Sequence, residues 1–368
     1  MVAQSYCFDF GPEGEPAKGC IKITDKSVYT PDIGYGFAST EHVTAKARDV
    51  GQGIERDFCI PYNSVFLVDV PDGCYRVSLI AGDPMLPTAM TIRAAKRQIV
   101  LHNRTTVPGQ FVREMFSVYV RGGQLRLEFS GNAPRINALE IVPVPNALKL
   151  FIAGDSTAAD QENFPYAGWG QMLGMYLKHD VVVANHAASG RSSKSFIDEG
   201  RLDAIKAEMR KDDFLFIQFG HNDEKNDPDR NTEPYSTYQQ YLMQYIEAAR
   251  SVGAHPVLLT SVQRRYFNED GTLQDTHGDY LPAMRQLAAE QGVPLIDMAE
   301  KTKALYEALG PERSKSLFVI GERGEFVTHP DGVVDNTHFQ DIGAIKIAGL
   351  VAEGIRELNL WPLTMFLR

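Results

Sequence analysis

The spacing of apolar residues changes once along this chain, at Leu148, and that change limits the possible folds more than any other feature of the sequence. Before it, short alternating segments at 64–70, 74–80, 98–101, 114–120, 124–129 and 136–142 end at turn residues such as Pro71-Asp72-Gly73 and Arg121-Gly122-Gly123. Such a run of strands, with no convincing amphipathic helix between them, predicts a β-sandwich. Beyond Leu148 come unbroken apolar runs at 148–153, 181–185, 214–219, 256–260 and 294–297. Runs of that kind belong to parallel strands covered on both faces. The segments between them read as helices at 168–177, 195–210, 281–291, 298–309 and 342–358. A further helix presents Tyr238, Tyr241, Leu242, Tyr245, Ile246 and Ala249 on one face. The prediction is an α/β protein, a three-layer α/β/α domain over 148–368 preceded by a sandwich over 1–147. Pro143-Val144-Pro145-Asn146 marks the boundary.

The charge divides at the same place. Residues 1–147 carry 15 basic and 15 acidic side chains, whereas the remaining 221 carry 22 and 32 and hold the whole net charge of −10. An acidic chain of this kind argues against nucleic acid or an anionic membrane as partner. Cys7, Cys20, Cys59 and Cys74 all precede residue 75, without CxxC spacing, and are expected to be buried thiols. No run of about 18 apolar residues and no basic-then-apolar leader is present, so the expected location is cytoplasmic.

Open α/β sheets bind ligands beyond the carboxyl ends of their strands, which makes the segments after each strand the place to look for chemistry. The first strand runs into Gly154-Asp155-Ser156-Thr157, where the serine reads either as an exposed hydroxyl or as a helix cap. The second leads to Ser189-Gly190-Arg191-Ser192, and the third to Gly220-His221-Asn222-Asp223. Asp335-Asn336-Thr337-His338 precedes the last helix. If residues 335–338 form a helical turn, Asp335 meets one imidazole nitrogen of His338 and leaves the other free to take a proton. His329 is the nearest competitor, while His42, His102, His179 and His255 lack an acid in register.

Together these four segments resemble the SGNH, or GDSL-type, hydrolases. Over about 148–360 the closer resemblance is to rhamnogalacturonan acetylesterases, through Gly154-Asp155-Ser156-Thr157, Ala167-Gly168-Trp169-Gly170 and Gly190-Arg191-Ser192-Ser193-Lys194-Ser195-Phe196. The resemblance implies a flavodoxin-like catalytic domain, and the leading residues are similar to the galactose-binding-like sandwich that some relatives carry. It implies Ser156 as nucleophile, His338 as base and Asp335 as the group that orients it. The Ser156 and Gly190 N–H groups and the Asn222 amide then serve as oxyanion donors.

The implied substrate is an acetylated pectic oligosaccharide, with Arg191 pairing a uronate carboxylate and Trp169 and Tyr166 stacking on sugar rings. No metal-ligand spacing, phosphate-binding lysine loop or α/β-hydrolase Gly-x-Ser-x-Gly elbow occurs, and neither cofactor nor metal is expected. The competing readings are a lipase or thioesterase, a carbohydrate-binding protein without activity, and a glycosidase using Asp155 and Asp223.

Overall fold

The computed structural model describes residues 4–368. The chain forms two compact units that divide at Ala147/Leu148. Leu177–Val182 and Arg368 group with the first unit by their contacts.

The first unit is built from two five-stranded sheets. One runs in the order Phe111–Val120, Gly73–Gly82, Ala138–Pro143, Tyr6–Phe10, Ile21–Ile23; the other runs Tyr35–Phe37, Ser64–Asp69, Gln124–Ala133, Thr88–Ala94, Gln98–Thr106. Alternation explains the core: in Thr88–Ala94 every second residue is buried, and Met90 and Ile92 join Phe66, Leu127 and Phe129 in one apolar cluster. Phe8, Phe10, Phe37 and Phe66 pack edge to face at its centre, with ring centroids 5.2–6.5 Å apart.

The cysteine expectation holds for half of the residues. Cys59 and Cys74 are buried thiols, but Cys7 and Cys20 form a disulfide. Strand pairing is the reason: the parallel register sets Phe8 against Ile21, which brings the residues just before them, 13 apart in sequence, side by side.

In the second unit the apolar runs form a sheet in the sequence order 2-1-3-4-5. It consists of Val181–Asn185, Leu148–Gly154, Phe214–Gln218, His255–Leu259 and Leu295–Ile296, with parallel pairing from the first strand through to the fifth. This is the doubly wound order, in which the strand direction of growth reverses beside the first strand and opens a crevice there. Helices Trp169–Leu173, Ser193–Asp198, Arg201–Glu208, Gln239–Ser251, Tyr280–Gln291, Met298–Arg313 and Asp341–Glu357 belong to this unit.

Two helices differ from expectation. The segment 195–210 is two helices, because Gly200 adopts φ 73° and ends the first of them. The segment 168–177 is α-helical only over Trp169–Leu173 and tightens into a 3₁₀ turn over Gly174–Tyr176, whereas the helix expected over 298–309 does end there, because Gly310 (φ 72°, ψ 175°) breaks it before a further helical turn reaches Arg313. No helix of the described residues is long and apolar enough to cross a membrane.

Candidate active site

The strand Leu148–Gly154 is almost wholly buried, and the chain turns sharply at its end, where the Ala158 and Ala159 N–H groups both donate to the Asp155 carbonyl. Asp155 fixes this turn from inside: its Oδ1 accepts from the Thr157 N–H at 2.9 Å and from the Thr157 hydroxyl at 2.7 Å. Burial opposes its charge, but His221, 3.3 Å away, and the Thr157 donors hold the carboxyl below the usual range. Ser156 is left at the top of the sheet with 8% of its surface exposed.

His338 reaches Ser156 from 182 residues further along the chain: its Nε2 lies 2.8 Å from the Ser156 Oγ. Its Nδ1 lies 2.8 Å from Asp335 Oδ2. The geometry that joins Asp335 to His338 is not the helical turn expected from their spacing. Residues Val333–Phe339 form a strand, paired antiparallel with Phe318–Gly321. The other carboxylate oxygen, Oδ1, accepts the backbone N–H groups of Thr337 (2.8 Å) and His338 (3.0 Å), and this local turn brings the ring back over the carboxylate. Burial raises the Asp335 carboxyl, but the His338 ring and these two N–H groups outweigh it and keep it below the usual carboxylate range. Arg265 braces the same turn, donating from its backbone and from Nη1 to the two oxygens of Asn336, both at 2.8 Å.

The second loop places Gly190 at φ 81°, a left-handed conformation that leaves its backbone free of a Cβ. A capping box follows at once: the Ser192 and Ser195 side chains bond each other's backbone N–H and start the helix Ser193–Asp198. In the third loop Gly220 has φ 150°, and a Cβ there would collide with the Ser261 hydroxyl. Asn222, 2% exposed, donates through Nδ2 to the Arg191 carbonyl at 3.0 Å and accepts the Lys225 ammonium on Oδ1 at 2.8 Å. Burial, with Arg230 and Arg264 nearby, lowers the Lys225 pKa. Asp223 locks this loop to the second one by accepting from the Ser193 N–H and hydroxyl and from Thr232 Oγ1; burial dominates and pushes its carboxyl up to about 7.

Ser156, His338 and Asp335 are thus joined in one hydrogen-bonded line, and Asn222 and Gly190 sit on neighbouring loops tied together at Arg191. Tyr166 stands edge-on to both His338 and His329, with ring centroids 5.8 and 5.7 Å away. Backbone pairing of Ala167 with Phe339 holds it there.

One expected ligand contact, that of Trp169, is corrected. Trp169 has no exposed surface and donates its indole N–H to Gln218, so it cannot stack on a sugar; its size suits the interior beneath the loop. The Arg191 guanidinium is held by the Glu199 carboxylate, with Nε 3.0 Å from each oxygen, and by the Ser189 carbonyl at 2.7 Å. The glycosidase pair is ruled out by burial, since Asp155 and Asp223 have no exposed surface. His179, expected to lack an acid, pairs with Asp180 at 2.7 Å.

Three supporting residues carried no recognisable sequence signal: Arg265, Lys225 and Gln161. The Gln161 amide bonds both the Ser156 carbonyl (2.9 Å) and the Ser189 hydroxyl (3.1 Å) and so joins the first two loops. Among the described residues no three His, Cys, Asp or Glu side chains gather so as to hold a metal ion.

Comparison with known proteins agrees with both units. Residues 152–331 match the GDSL-like lipase/acylhydrolase family, and residues 6–141 match the β-agarase/YXIM esterase-like, galactose-binding domain-like family. A rhamnogalacturonan acetylesterase of Bacillus subtilis, RhgT, is 52% identical over 215 residues, which are 58% of this chain and 91% of that protein. The uncharacterised esterase YxiM of the same organism is 29% identical over 375 residues, covering 96% of this chain and 91% of that one. The crystal structure of YxiM superposes with a TM-score of 0.53 at 25% identity, spanning 97% of this chain and 99% of that one.

Proposed function

Because the chain belongs to the GDSL-like lipase/acylhydrolase family and is a carboxylic ester hydrolase, we propose that it removes acetyl groups from acetylated rhamnogalacturonan oligosaccharides. The observation that carries this reading is the line from Ser156 through His338 to Asp335, two contacts of 2.8 Å each. A serine hydroxyl is a weak nucleophile until a base takes its proton in the same step. His338 Nε2 accepts that proton as Oγ bonds to the acetyl carbon, and Asp335, accepting a hydrogen bond from Nδ1–H, stabilises the resulting imidazolium. Negative charge moves to the carbonyl oxygen, where the Ser156 N–H, the Gly190 N–H and the second Nδ2 hydrogen of Asn222 receive it. The C–O bond to the sugar then breaks, and the sugar oxygen takes the proton from His338. Water attacks the acetyl-serine with His338 again accepting a proton. Acetate leaves, and Ser156 regains its hydrogen.

Tyr166, beside the imidazole, supplies the apolar wall against which the sugar lies. Arg191, its guanidinium oriented by Glu199, faces the acidic part of the substrate. The test is acetate release from acetylated rhamnogalacturonan fragments, measured beside long-chain aryl esters. Preference for the acetylated sugar supports the reading, and preference for the long acyl chain overturns it.

A further inference from the structure

The orientation of the Asn222 amide is decided by chemistry alone. An ammonium only donates, so the amide atom 2.8 Å from Lys225 Nζ is the oxygen; a backbone carbonyl only accepts, so the atom 3.0 Å from the Arg191 oxygen is the nitrogen. One of the two N–H bonds is then used by Arg191, and one remains for a ligand. Lys225 is doubly tied to the residue it touches, because its backbone N–H also donates to the Asn222 carbonyl at 3.3 Å. The side chain therefore folds back over its own turn and sets a positive charge on the oxygen end of the amide, drawing electron density from the nitrogen end.

We propose that Lys225 is a positioning residue for acyl transfer: its ammonium fixes and polarises the Asn222 amide so that the remaining Nδ2–H meets the oxygen on which charge develops. This rests on the reading of Asn222 as an oxyanion donor. A donor already aimed and polarised before the reaction stabilises the transition state more than the ground state, so the effect belongs in kcat. The lysine is in contact with water and its charge is screened, which makes the direct hydrogen bond the main route of its influence. The expected loss is therefore smaller than that for removing the donor itself.

The experiment is a double-mutant cycle on the full chain with Lys225→Met, Asn222→Ala and the pair, assayed on a neutral aryl acetate and on acetylated rhamnogalacturonan oligosaccharide. Lys225→Met should lower kcat about tenfold on both substrates with KM nearly unchanged, and Asn222→Ala about 100-fold or more. The double variant should be no slower than Asn222→Ala alone, since the lysine acts through the amide. Lys225→Arg, which keeps a charge and donors, should recover most of the rate, and this separates positioning from a folding defect.

Unchanged kcat in Lys225→Met overturns the proposal, as does a loss additive with that of Asn222→Ala. A loss confined to the uronate-containing substrate and expressed in KM overturns it in favour of a lysine that binds substrate. Full activity in Asn222→Ala removes the oxyanion assignment, and this inference falls with it. Unchanged kcat in Lys225→Met beside a crippled Asn222→Ala removes only the lysine's role.

Discussion

Asp335→Asn isolates the orienting carboxylate with little disturbance of the turn that carries it. In the protein, Oδ1 accepts two backbone N–H groups and Oδ2 faces His338 Nδ1 at 2.8 Å. Asparagine keeps an oxygen for the two backbone donors, so the turn survives, but it presents NH₂ to the ring. Nδ1 must then accept, the imidazole proton moves to Nε2, and the nitrogen 2.8 Å from Ser156 Oγ becomes a donor where a base is needed. A wrong tautomer at this position costs about 10,000-fold in kcat, or about 5.5 kcal/mol of barrier. Asp335→Ala should lose as much rate and also leave two backbone donors short of a partner, lowering stability by a further 1–3 kcal/mol or so. The assay is steady-state hydrolysis of a chromogenic acetate with thermal unfolding measured in parallel. A folded Asp335→Asn protein that keeps more than about a tenth of the wild-type kcat would refute the reasoning.

Other perturbations separate structural from chemical roles. Trp169→Ala empties a buried site and should destabilise the protein by about 3–5 kcal/mol; a change confined to KM for the oligosaccharide would restore the stacking role that burial denies it. The Asp223 carboxyl, raised by burial to about 7 from an ordinary 3.8, binds a proton in the folded state that the unfolded chain has released. Its contribution is complete below about pH 4 and is lost as pH rises through 7, on the order of 4 kcal/mol in all; Asp223→Asn should flatten that part of the unfolding free-energy profile, and an unaltered slope contradicts the assignment. Replacing Cys7 and Cys20 by serine opens a loop of 13 residues and should lower stability by about 3 kcal/mol while leaving kcat on a small acetate unchanged. A matching loss of kcat would show that the disulfide acts on the site.

Much of the second unit was legible because its strands are buried on both faces and so read as unbroken apolar runs. Val181–Asn185 falls where expected, and Leu148–Gly154, Phe214–Gln218 and His255–Leu259 shift by a residue at most. In the first unit short strands such as Tyr35–Phe37 and Ile21–Ile23 carry too few residues for alternation to register, and the disulfide depends on the pairing of just such a strand. At the site, residue types and their order after the strands pointed to Ser156, His338 and Asp335. The expected backbone beneath Asp335 and His338 was wrong, because two N–H bonds to one carboxylate oxygen produce a turn within a strand that side-chain spacing does not distinguish from a helical one. Trp169 misled because an indole suits a sugar face and an interior equally well, and only the Gln218 partner and its complete burial decide between them. Lys225, Arg265 and Gln161 were invisible for a simpler reason: each acts by touching an amide or carbonyl that any sequence supplies.

Covalent capture addresses the central claim most directly. A fluorophosphonate reacts with a serine hydroxyl that a neighbouring base has activated, and mass spectrometry of the digested adduct locates it. One equivalent on the peptide carrying Ser156, abolished by Ser156→Ala and sharply slowed by His338→Ala, is the predicted result. Attachment to another residue, or undiminished labelling of Ser156→Ala, would contradict it.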